Sequence, residues 1–139
     1  MSLESVIYSR LSGYAGLTAL VSTRIFPDAL PPDVTYPAVS FWRSGPSRPL
    51  PAMGSDPALL AIPLQVDCWA QNTDPGQTSA RTAAQAIGVQ VLAALQRWRS
   101  SGDGVQDTLV ENMGLMIPEE FTGIMHWVTE FTVWYDGAN

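Results

Sequence analysis

The stretch Ile124–Tyr135, IMHWVTEFTVWY, alternates at period two, and neither of its faces is polar. Met125, Trp127, Phe131, Val133 and Tyr135 share one side, while Ile124, His126, Val128, Glu130, Thr132 and Trp134 share the other. Residues i and i+2 of a strand point the same way, so both faces of this one must be covered. A helix is expected on one side and a neighbouring subunit on the other.

Working outward, Leu60, Ile62, Leu64, Val66 and Cys68 alternate with Ala61, Pro63, Gln65, Asp67 and Trp69, a strand with one buried face. Pro63 lacks a ladder donor, which places this strand at an edge or gives it a bulge there. Residues 38–43, AVSFWR, form another strand, with Val39, Phe41 and Arg43 opposite Ala38, Ser40 and Trp42. Residues 105–117 alternate loosely around a candidate bulge at Asn112, Met113 and Gly114. A short strand is expected at 24–26.

Helical spacing appears twice. Leu3, Ile7, Leu11 and Tyr14 predict a helix over 2–12, and Leu17 to Val21 one further turn. Ala80, Ala84, Ile87, Val91, Leu95 and Trp98 predict the main helix over 78–99, capped by Asp74, Thr78 or Ser79, with Arg81, Gln85 and Gln96 on its other face. The order gives an α+β domain: an antiparallel or mixed sheet packed by two α-helices, in a single domain over 1–139. Residues 44–58, with four prolines, two glycines and no periodicity, read as a long mobile loop.

Composition narrows the function. Apolar residues make up 46% of the 139 and charged residues 14%, which excludes disorder. Five tryptophans in so uncharged a chain point to an oligomer, or else simply to core. The net charge is −6, and all seven basic residues are arginine, so no basic stripe exists to hold nucleic acid. With Cys68 as the one cysteine there is no intrachain disulfide, consistent with assembly in the cytoplasm. No signal peptide and no membrane span are visible.

Catalysis finds little support. The one histidine, His126, lies mid-strand with Glu130 on the same face but out of reach. Cys68 lies on a buried face, where a nucleophile would lack access. Glu119 and Glu120 are a weak metal pair. No P-loop, dinucleotide-binding or nucleophile-elbow motif is present. No enzyme, cofactor or metal is expected.

The segments RIFPDALPPDVTYPAVSF (24–41), QVDCWA (65–70) and EFTVWY (130–135), in this order with helices between, resemble the tail-completion or tail-terminator proteins of long-tailed phages and prophages. That group is related in fold to the tail terminator of phage lambda, and the resemblance spans nearly the whole chain. It implies a structural protein of the virion, at the tail-head junction. Such a protein forms a hexameric ring on the tail tube, stops tube polymerisation and offers a surface to the head-completion protein.

The partners implied are its own copies, the major tail tube protein and that connector, with DNA passing through the bore unbound. Another head-tail connector or minor tail protein, or a small enzyme or ligand-binding domain, are the rival readings. The candidate interaction surface comprises Pro31, Pro32, Tyr36, Trp42, Arg43, Arg48, Met53 and Trp134. Pro27, Pro31, Pro32 and Pro37 stiffen the connection between two strands, either as a docking surface or as an ordinary braced loop.

Overall fold

A computed structural model describes residues 2–50, 59–72, 79–118 and 123–136. The elements in chain order are α1 (Leu3–Ser12), α2 (Ala15–Val21), β1 (Ile25–Pro27), β2 (Ala38–Arg43), β3 (Arg48–Leu50), β4 (Leu59–Gln71), α3 (Ala80–Leu95), β5 (Val105–Pro118) and β6 (Ile124–Tyr135). The sheet is mixed. Its order is β1-β2-β4-β6-β5, with β1 parallel to β2, the other pairs antiparallel, and β3 beside β4.

The three helices share one face. Leu3, Ile7 and Leu11 of α1, Leu17 and Val21 of α2, and Ile87, Val91 and Leu95 of α3 form one core with Val39, Phe41, Ile62, Leu64, Val66, Phe131 and Val133. Period-two alternation in β2, β4 and β6 brings those strand residues to the same side, so one apolar face meets three apolar helix stripes. The sheet's reverse carries no helix among the described residues.

Several local expectations change. Pro63 sits in a central strand, between β6 and the β2–β3 line, rather than at an edge. Its missing donor faces a break in that line: β2 pairs as far as Leu64, β3 resumes at Ala61, and Ser44 N–H donates to the Pro63 carbonyl at 3.1 Å. Residues 48–50, expected as loop, form β3, and the rest of that segment from 51 to 58 lies outside the described residues.

Helix α3 ends at Leu95, four residues early. Gln96 and Arg97 turn instead along β5, where Arg97 N–H donates to the Thr108 carbonyl and the Gln96 side chain accepts from Val110 N–H, both at 2.7 Å. Its first N–H is capped by Asn72 at the end of β4, through a 2.7 Å bond to Ala80, and not by Ser79; Asp74 and Thr78 lie outside the described residues. At α1 the Ser2 side chain accepts from Ser5 N–H at 3.3 Å.

Trp127 fixes how closely α3 lies on the sheet. A Cβ on Gly88 of α3 would stand 2.5 Å from the indole Cδ1, and one on Gly114 of β5 3.0 Å from the ring's far side. Gly114 also has φ +96 at a bulge, a conformation that glycine adopts without strain. The two glycines form a slot for the indole. Gly88→Ala is therefore expected to destabilise the fold by about 1 to 3 kcal/mol in denaturant melts. Gly102→Ala, with open space around it, should shift stability by less than about 0.5 kcal/mol. A double-mutant cycle with Trp127→Leu should show the Gly88 penalty shrinking, because the obstructing ring is gone.

Candidate assembly surface

The reverse face of the sheet is built in cross-strand rows. One row holds Ala38, Trp69, His126 and Ile117; the next Ser40, Asp67, Val128 and Leu115; a third Trp42, Gln65, Glu130 and Asn112. Nearer the other end, Arg48, Ala61, Trp134 and Asp107 line up. Three of the five tryptophans, Trp42, Trp69 and Trp134, thus stand on the face that no described helix covers. Leu115 there is 60% exposed and Trp42 38%.

Parts of this face are already organised. The Trp69 indole stacks on the His126 imidazole at 4.1 Å between centroids and donates to Ser40 Oγ at 3.0 Å. The Gln65 amide donates to Asp67 Oδ1 at 2.9 Å, and Asp67, Ser40 and His126 are all buried. Where β2 gives way to β3, a cleft of about 490 Å³ opens, lined by Pro46, Arg48, Pro49, Ala61, Pro63 and Thr132. Three proline rings give it an apolar part, beside the polar side chains of Ser47, Arg48 and Thr132.

The residues singled out from sequence fall into separate places. Trp42, Arg48 and Trp134 share the reverse face. Pro31, Pro32 and Tyr36 lie in the connection between β1 and β2, where the Tyr36–Pro37 bond is cis and the Arg24 guanidinium donates to the Pro37 carbonyl at 2.7 Å. Met53 lies outside the described residues. Arg43 points to the helix side, where its guanidinium forks onto both Glu4 carboxylate oxygens and reaches Ser47 Oγ at 3.3 Å. This pair ties α1 to β2, and the hydrogen bond from Arg43 holds the Glu4 carboxyl below its ordinary value.

Sequence reasoning missed a second exposed group. Val89 of α3 and Met113 of β5 are each 62% exposed and border a cleft of about 330 Å³ with Leu92 and Trp127. The signal was present: an exposed valine on a helix whose other exposed positions are polar residues or alanine.

Burial pushes the Cys68 thiol far above its ordinary value, so no thiolate forms there near neutrality. Among the described residues no three His, Cys, Asp or Glu side chains gather to hold a metal, and no helix is long and apolar enough to cross a membrane.

The family model "Tail completion protein gp17" matches residues 5–136. The chain belongs to that family. A chain from the virion of a native gene transfer agent particle has a similar fold, with a TM-score of 0.67 and 21% identity over 98% of this chain and 96% of that one. No curated protein matches. For this tail-completion family member, two measurements check the interior. Cys68 should stay unreactive to a thiol reagent in native protein and react on unfolding. The pH test concerns Glu4, whose folded value is depressed: the Arg43 pair contributes above the unfolded value and is lost as pH falls through the folded one. Because the carboxylate is 36% exposed, Glu4→Gln should cost only about 0.5 kcal/mol near pH 7. That difference should vanish in melts near pH 3.

Proposed function

We propose that this protein is a tail terminator: a ring on the end of the phage tail tube that stops polymerisation and presents the surface to which the head joins. Membership of the tail-completion family makes it a structural component of the tail. The observation that carries the finer reading is the sheet's reverse face. It carries Trp42, Trp69, Trp134 and Leu115 in successive cross-strand rows, with no described helix over them. A monomer in water gains nothing by leaving such a surface bare, whereas a subunit of an assembly covers it.

In this reading six copies close the ring, and the tube protein and the head-completion protein contact its two ends. Trp42, Arg48 and Trp134, with the proline-lined cleft beside them, take part in those contacts. Pro31, Pro32 and Tyr36 form a stiff second surface whose ordering costs little entropy. The chain's net charge of −6 suits a bore through which DNA slides without being held. The likeness to a chain of a gene transfer agent virion supports a place in the particle; the tail-head junction, reached after assembly in the bacterial cytoplasm, belongs to the terminator reading itself.

The decisive experiment is electron microscopy of particles made without this gene. Tubes that overrun their normal length and fail to join heads are the expected outcome. Tails of normal length that only fail to attach would identify a head-side connector instead, and absent tails an initiator. Trp42→Ala with Trp134→Ala should reproduce the null phenotype in a protein whose unfolding midpoint is little changed, since both indoles stand on the uncovered face.

A further inference from the structure

The reverse face holds two clefts in one line along β6. The proline-walled one lies at the row of Pro63, Thr132 and Leu109. A second, of about 360 Å³, lies at the row of Asp67, Val128 and Leu115, and Asn112 and Glu130 also line it. Thr132 and Val128 are four positions apart on β6, so the two rows stand roughly 13 Å from each other at about 3.3 Å per residue.

Between them runs the row of Gln65, Glu130 and Asn112. Glu130 is half-buried and accepts from the Asn112 amide at 3.1 Å. Glu111, exposed at the bulge, accepts from the Thr132 hydroxyl at 2.8 Å. Among the described residues no arginine pairs with either carboxylate. The other charges of this face stand apart. Asp67 is buried against Gln65, Asp107 holds Arg97 and Arg99, and Arg48 lines the far side of the proline cleft, in the Trp134 row.

We propose that the two clefts hold an extended basic segment of another protein of the particle, laid along β6. Its central Lys or Arg meets Glu130 and Glu111, and apolar residues two positions to either side enter the clefts. Alternate residues of an extended chain share a face, so this spacing matches the rows. Charge decides the occupant: two carboxylates without a cation, set between two partly apolar hollows, fit a cation flanked by apolar side chains. Leu115, 60% exposed, is covered by the same segment.

A second copy of this chain supplies no such segment, since it has no lysine and its arginines are placed elsewhere. Arg10, Arg24 and Arg43 are bound within the fold, and Arg97 and Arg99 share Asp107. Arg81 is on α3, and Arg48 belongs to the cleft itself. The inference rests on the terminator reading for a partner in the particle, and adds the chemistry by which the face selects that partner.

Labelled synthetic peptides test it on the full-length protein. One has Leu-Thr-Lys-Thr-Leu at its centre, the second Leu-Thr-Glu-Thr-Leu, and the third Leu-Lys-Thr-Thr-Leu, with the cation moved by one place. Binding is read by fluorescence anisotropy on the parent, on Glu111→Gln with Glu130→Gln, and on Leu115→Ser. Circular dichroism and unfolding midpoints establish that both variants fold.

The first peptide should bind the parent at least about tenfold more tightly than either of the others, and the glutamine variant should lose that advantage. Added salt should weaken the binding, since the carboxylates are partly exposed. Leu115→Ser should weaken it without altering charge. Equal binding of the three peptides, no measurable binding, or binding indifferent to the glutamines would overturn the proposal. So would altered self-association of the glutamine variant in sedimentation, because a second copy would then be what covers this face. Those results leave the terminator reading standing, which falls instead to the micrographs of particles made without the gene.

Discussion

The ladder between β4 and β6 runs unbroken through twelve residue pairs, from Leu60 opposite Tyr135 to Gln71 opposite Ile124. Everything else is referred to it. Its register sends Ile62, Leu64, Val66, Phe131 and Val133 beneath the helices and Trp69, His126 and Trp134 to the reverse. Because side chains alternate with period two, a slip of one residue in either strand would exchange those sets. Phe131 would then meet solvent and Glu130 would be driven under α3. In a chain apolar on both faces the exchange looks mild on hydropathy alone. What forbids it is shape: Trp127 fits only where Gly88 and Gly114 leave room for it.

Upon that ladder the helices are fastened by arginine rather than by lysine, of which the chain has none. Arg43 joins β2 to Glu4 of α1. Arg10 of α1 donates to the Ala94 carbonyl at 2.8 Å and lies over the rings of Tyr14 and Trp98 at 5.2 and 5.7 Å. Ala94 belongs to the last turn of α3, whose carbonyls have no partner within the helix, so a cation there is doubly favourable. Arg24 holds the connection before β2 through the Pro37 carbonyl. A planar fork that stacks on aromatic rings while donating suits these half-buried links better than a lysine ammonium does.

Much of this was legible in the sequence because it depends on periodicity. Both faces of β6, the two faces of β2 and β4, the stripe of α3 and the β5 bulge follow from spacing alone. What was not legible depends on partners distant in the chain. Pro63 reads as an edge signal until the β2–β3 break is seen beside it. The early end of α3 reflects a bond from Arg97 to Thr108, eleven residues on, and its cap comes from Asn72 across a turn. In the candidate surface, Trp42 and Trp134 follow from alternation. That same alternation sets Arg43 on the buried side with Val39 and Phe41, so its place among surface residues conflicts with the strand pattern. Val89 and Met113 emerge as a pair only once the sheet order brings α3 beside β5.

A terminator has to satisfy two demands that conflict on a single surface. It must bind its own copies strongly enough to close, and it must not let closure create a site for another layer. A sheet with helices on one face separates these demands in space. In a closed ring, contacts made between subunits at the sheet edges would all be satisfied, with none left over. Faces point elsewhere, and on the reverse face Trp69 is held in place by Ser40 and His126. Contacts made there depend on side-chain shape rather than on backbone pairing, so they can accept one partner and refuse a second copy of the ring. An exposed strand edge offers no such discrimination, because backbone donors and acceptors are alike in every chain. Under the proposed terminator reading, edges used within a ring and faces left for other partners would be an arrangement in which growth stops by geometry.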